Sequence, residues 1–146
     1  MKRVAVLDPG RCKCGLVLAD LHLGLVLEGH VLAPEAVEPW LELWNQDQLL
    51  DGILIGDGTG SQAWIKRLER LGSLTVIPER GTTLRARERY WMLWPARGWR
   101  RMLPTGLRIP PVDLDAVAAL VMLEEHLGYR LQWPEPAPTF LLKTWP

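Results

Sequence analysis

Sulfur is scarce in this chain, and the little it has excludes a disulfide scaffold. Cys12 and Cys14 are the only cysteines among 146 residues, too close together in one tight loop for an unstrained bridge. Two thiolates do not make a zinc site, and none of the three histidines, His22, His30 and His126, stands at a motif spacing from them. Both cysteines are therefore read as reduced loop residues. Long apolar runs are also missing: Gly52-Ile53-Leu54-Ile55-Gly56 is far short of a membrane span. Met1-Lys2-Arg3 leads straight into a strand pattern, without the apolar core and cleavage site of a signal peptide. The expectation is a soluble cytoplasmic protein with no membrane partner. Glycines 56, 58 and 60 suggest a phosphate loop, but no Lys-Ser/Thr follows, which excludes a Walker motif. Net charge is absent as well, with 17 basic and 17 acidic residues.

What is present is enough for one domain with a full core, since 48% of the residues are apolar. Val4-Ala5-Val6-Leu7-Asp8-Pro9-Gly10 reads as a buried strand that ends on a carboxylate and turns sharply. Leaving Asp8 where a core strand stops is costly unless it is paired or binds a cation. The next apolar run, Leu16 to Asp20, returns so soon that it is expected to be an antiparallel neighbour. A third strand is expected near 24–32 and an amphipathic helix over 34–50. A buried fourth strand over 52–57 leads through a glycine-rich turn to a helix near 61–71, with Ser61 as its N-cap. A fifth strand at Leu74–Pro78, a helix from Thr82 to Leu93, an irregular proline-rich stretch over 95–111 and a last helix from Asp113 to Leu127 complete the pattern. Three antiparallel strands followed by helix–strand alternation predict an α/β fold, a five-stranded mixed sheet with helices on both faces. Residues 1–128 form this domain, and 129–146, with four prolines, form an extended C-terminal tail.

The balanced total charge hides an asymmetry. Between Arg80 and Arg108 stand eight arginines and one acid, Glu88, with Tyr90, Trp91, Trp94 and Trp99 interleaved. Arginine forks suit phosphates and flat rings suit unstacked bases, so this stretch predicts a nucleic-acid partner. For Trp91 and Trp94, three apart on a helix, a place in the core accounts for the spacing equally well.

Two further carboxylates stand out. Glu79 closes the fifth strand. Asp115 lies in the first turn of the last helix, on one face with Ala118, Ala119 and Met122. Small residues beside Asp115 let that helix approach the sheet closely. Asp113 can cap the helix, which leaves Asp115 without a capping role.

Taken together, Leu7-Asp8-Pro9-Gly10 with Lys13 and Gly15, then Glu79-Arg80-Gly81-Thr82-Thr83 with Ala86, then Asp115-Ala116-Val117-Ala118-Ala119 resemble the YqgF branch of the RuvC-like, RNase H-fold nucleases. The turn from Ile55 to Ser61 is similar to that in the YqgF modules of transcription accessory proteins. The resemblance spans residues 4 to about 127. It implies a metal-dependent nuclease with Asp8, Glu79 and Asp115 as its acidic triad. The chain departs from the pattern in three ways: Pro78 precedes Glu79, the stretch before Asp115 is longer and richer in Arg, Trp and Pro, and Asp57 ends the fourth strand. Asp57 is therefore a candidate ligand beside Glu79 or in its place. Oxygen-only ligands suit Mg²⁺ or Mn²⁺, and two such ions about 4 Å apart can hydrolyse a phosphodiester. Lys13, Arg80, Arg85, Arg87, Arg97, Trp99, Arg100 and Arg101 are the candidate nucleic-acid contacts. The implied activity is an endonuclease acting on a DNA junction or a ribosomal RNA precursor. The alternative is a non-catalytic nucleic-acid-binding module of the same fold. A homodimer stays open.

Overall fold

The computed structural model describes residues 2–58, 60–139 and 146. Five strands form one sheet in the order β3-β2-β1-β4-β5, the five-stranded mixed sheet expected from the sequence. Strands β1 (Arg3–Asp8), β2 (Cys14–Asp20) and β3 (Leu25–Leu32) pair antiparallel, while β4 (Gly52–Gly56) and β5 (Leu74–Ile77) run parallel to β1. Short hairpins can join antiparallel strands, whereas a parallel return needs a crossover helix. Helix α1 (Pro34–Asp47) supplies the first crossover and α2 (Ser61–Leu68), with a 3₁₀ turn at Glu69–Leu71, the second.

Strand alternation divides the core into two layers. Val4, Val6, Val17 and Leu54 face α3 (Thr82–Leu93) and α4 (Asp115–Leu127). Ala5, Leu7, Leu16, Ile53 and Ile55 face α1 and α2, against Val37, Leu41, Trp44 and Leu68. From Val4 to Leu7 strand β1 is therefore apolar on both faces, and Asp8 is only partly enclosed.

Several local expectations change in the folded chain. Cys14 lies inside β2 rather than in a loop, and its burial pushes the thiol up to about 11, which leaves it inert. Gly60, in the left-handed region at φ 91°, takes the N-cap position expected for Ser61, which is the first helical residue. Asp113 does not cap the last helix: Leu114 holds the cap position without a side-chain bond, and Asp113 pairs with Lys13 at 2.8 Å. The first helix stops at Asp47, short of the expected 50. There the buried Arg3 guanidinium donates to the carbonyls of Trp44 and Gln48, serving the orphan acceptors at that helix end. The proline-rich stretch holds two 3₁₀ turns, Gly98–Met102 and Thr105–Leu107.

After α4 the chain runs beside β3, where Val26 N–H donates to the Gln132 carbonyl and Gln132 N–H to that of Gly24. Trp133 is buried over Gly29, where an added Cβ would lie 2.2 Å from its ring. Residues 140–145 of the expected tail, and Thr59 of the glycine turn, lie outside the described residues. Among the described residues no helix is long and apolar enough to cross a membrane.

Candidate active site

Parallel pairing determines where the acids go. Strands β1, β4 and β5 point the same way, with Leu7 opposite Ile55 and Gly56 opposite Ile77. Their carboxyl ends therefore share one edge of the sheet, which is where open α/β sheets place ligands. Asp8 ends β1, Asp57 follows β4 and Glu79 follows β5. The Asp57 Oδ1 accepts the Glu79 backbone N–H at 3.1 Å, tying the two strand ends together.

Glycines make room for Glu79. A Cβ on Gly58 would fall 1.8 Å from its Oε1, and one on Gly56 would fall 2.5 Å from its Oε2. The glycine turn thus serves as a seat for a carboxylate, and any side chain at 58 would displace Glu79. In that seat the Glu79 Oε2 is buried without a hydrogen-bond partner among the described residues. Burial raises the Glu79 pKa first, and Asp57 raises it further, while the Gly58 backbone N–H and Asp8 draw it back.

Asp115 arrives from the other side. Gly15 is the register partner of Asp8 on β2, and a Cβ there would lie 1.9 Å from the Asp115 carbonyl oxygen. The first turn of α4 rests directly on this glycine, so Asp115 stands beside the end of β1. The small-residue face of α4 contributes, with Ala118 and Ala119 buried, but the closest approach is made by glycine on the sheet. Gly15→Ala is expected to push α4 outward and to cost about 1–3 kcal/mol, the range for overpacked cores. Chemical denaturation measures the change, and an unchanged midpoint would show that α4 does not depend on this approach.

Asp8 feels the charge of both other acids. Burial first, then the charges of Glu79 and Asp115, then a hydrogen bond with Glu79, push its carboxyl up to about 7. Asp115 is also raised, chiefly by burial and then by Asp113, with its own backbone N–H and Lys13 opposing. Near pH 7 the Asp8 carboxyl is therefore about half protonated, and in that form it hydrogen-bonds to Glu79.

Comparison with solved structures finds a likeness to T. thermophilus RuvC in complex with a Holliday junction substrate, at 13% identity over 90% of this chain and 99% of that chain, with a TM-score of 0.49. No family model and no curated protein matches the sequence.

The basic stretch divides by what each arginine touches. Arg85 pairs with Glu125. Arg89 is half-buried and binds the buried Glu124 through two bonds of 2.9 and 3.0 Å. Arg108 donates to the carbonyls of Leu103 and Arg101, pinning the proline-rich loop. Arg80, Arg87, Arg97, Arg100 and Arg101 make no ion pair among the described residues, and Arg100 lies over the Trp99 ring at 5.2 Å. Lys13 is held by Asp113. Trp99 is 66% exposed, whereas Trp91 is buried and Trp94 half-buried against Tyr90 and Trp133. The pairings of Arg85 and Arg89 across two helices had no signal in the local sequence.

Proposed function

We propose that this chain is a metal-dependent endonuclease acting on structured nucleic acid. One arrangement supports the reading: Asp8 and Glu79 follow neighbouring strand ends with a hydrogen bond between them, and the charge of Asp115 at the start of α4 acts on Asp8, whose carboxyl is pushed up to about 7. Clustered acids on this scale raise one another's pKa, and a cation relieves that cost.

The residues suit Mg²⁺ or Mn²⁺ by donor chemistry, because the set is all oxygen and the buried Glu79 Oε2 has no hydrogen-bond partner among the described residues. Among the described residues no three His, Cys, Asp or Glu side chains are already gathered as a metal cage. Mg²⁺ commonly takes one or two carboxylates and completes its shell with waters and substrate phosphate. Asp8 and Glu79 would hold it, with Asp115 in electrostatic reach and Asp57 positioning the Glu79 backbone. Bound there, the ion supplies a Lewis acid and a water activated near neutral pH. Asp8 must give up its shared proton for the cation to enter, so binding strengthens above pH 7.

Arg97, Arg100 and Arg101 would hold the nucleic-acid backbone, which adds affinity without reading sequence. Neutralising all three is expected to weaken binding to every sequence alike. The salt dependence should flatten by about 0.7 to 0.9 of a log unit for each phosphate no longer neutralised. An unchanged slope would place the nucleic-acid surface elsewhere.

The deciding experiment is cleavage of four-way junctions, single strands and precursor RNA with Mg²⁺ or Mn²⁺, using the wild-type chain and Asp8→Asn. Metal-dependent products that vanish in the variant support the nuclease. Tight binding with no cleavage of any substrate would leave a non-catalytic binding module instead.

A further inference from the structure

Beyond α3 the chain builds a cavity that the acidic site does not use. Its volume is about 350 Å³, and its walls include Tyr90, Trp91, Trp94, Arg97, Arg100 and Pro111. That volume falls within the roughly 300–1,000 Å³ of sites for small organic molecules. Two of the rings are held rigid at their polar ends: Trp91 Nε1 donates to the Arg108 carbonyl and Trp94 Nε1 to that of Glu135. A second hollow of about 270 Å³, lined by Trp99, Leu107 and Ile109, adjoins it and shares Arg100 and Pro111.

Resting on the nuclease reading above, we propose that this cavity receives one unpaired nucleotide. Its base would enter among the rings, and its phosphate would meet Arg97 and Arg100. The chemistry argues for this occupant over an apolar peptide. Two guanidinium groups without acidic partners among the described residues border a wall of flat aromatic rings, which pairs an anion site with stacking surfaces. A stacked base pair is too wide for such a hollow, so the site selects single-stranded or locally melted nucleic acid.

Its placement relative to the acids gives the cavity a purpose. Helix α3 starts three residues after Glu79 and ends at the cavity, and its 12 residues span about 18 Å. At about 3.4 Å per stacked step, the cavity lies roughly five nucleotides from the acidic site. Its role is to position a distorted strand, and it takes no part in the chemistry.

The test uses the full chain without metal, so it does not depend on cleavage. Deoxyadenosine monophosphate, deoxyadenosine and inorganic phosphate are titrated while the indole ¹H–¹⁵N signals are followed. The monophosphate is expected to shift the Trp91 and Trp94 signals saturably, with at least about ten-fold weaker effects from the nucleoside. Arg97→Gln with Arg100→Gln should remove that ten-fold advantage while leaving the fold, read by the remaining signals, unchanged. A single-stranded oligonucleotide should displace the monophosphate, and a perfect duplex should not. A monophosphate that moves neither signal overturns the proposal, as does a response unaltered by the arginine changes or equal displacement by the duplex. Cleavage without occupancy of this cavity would retain the nuclease reading and reject the pocket. Occupancy without cleavage would do the reverse.

Discussion

Asp8→Asn is expected to cut metal-dependent cleavage by at least about two to three orders of magnitude, as when one preorganised charge-stabilising group is removed, while leaving the protein more stable at pH 8. Nucleic-acid binding should persist or tighten, because a negative charge leaves the phosphate path. The stability gain follows from linkage. Burial, with the charges of Glu79 and Asp115 behind it, pushes the Asp8 carboxyl from 3.8 up to about 7. The folded chain therefore keeps a proton that the unfolded chain releases near pH 4. Stability from this group is fully present below about pH 4 and is lost as pH rises through 7. The ceiling of that loss is about 4 kcal/mol, and the partial exposure of Asp8 reduces it to about half. Asparagine carries no such penalty, so its melting temperature at pH 8 should exceed wild type by about 4–8 °C. The difference should vanish near pH 4. Mg²⁺ at pH 8 should narrow it by stabilising the wild-type chain alone. Equal melting of the two proteins across this pH range would mean that Asp8 is not under charge strain.

Arg89→Ala is expected to lower stability by about 3–5 kcal/mol, the cost of leaving a buried partner charge uncompensated. Arg89 forms a bidentate pair with Glu124 of α4 and donates to the Leu131 carbonyl at 2.8 Å, while the Leu131 N–H donates to Glu124 at 2.7 Å. One network thus joins α3, α4 and the segment that pairs with β3. Removing it should lower the melting temperature by about 10 °C. Arg87→Ala breaks no ion pair among the described residues and should change stability by less than about 0.5 kcal/mol. If both variants melt alike, the pair does not carry this load. The contrast matters because the two residues look equivalent in a run of arginines and differ only in what the fold places opposite them.

Much of the architecture was legible because it depends on local patterns. The apolar runs at 4–7, 16–19 and 53–55 mark central strands, buried on both faces and needing no partner information to be seen. Asp8 and Glu79 were legible for the same reason, since each is a charge set where an apolar strand ends. Helix ends were less so: neither Asp113 nor Ser61 performs the capping expected of it, because a lysine 100 residues away claims the first and a left-handed glycine precedes the second.

The sequence by itself determined the strand and helix order, the carboxylates at the strand ends and the concentration of arginine between 80 and 108. Tertiary structure alone decided how these combine. The role of Gly15 exists only because α4 crosses β2 at that point, with the Asp115 carbonyl where a Cβ would be. The seat of Glu79 on Gly56 and Gly58 needs β4 and β5 to be neighbours. Which arginines are committed to helix packing and which make no ion pair among the described residues depends on acids 35 and 40 residues away in Glu124 and Glu125. Local sequence sets backbone preference through nearest neighbours, whereas the pKa of Asp8, raised first by burial and then by nearby charges, and the pairing of Arg89 arise only when distant segments close on one another.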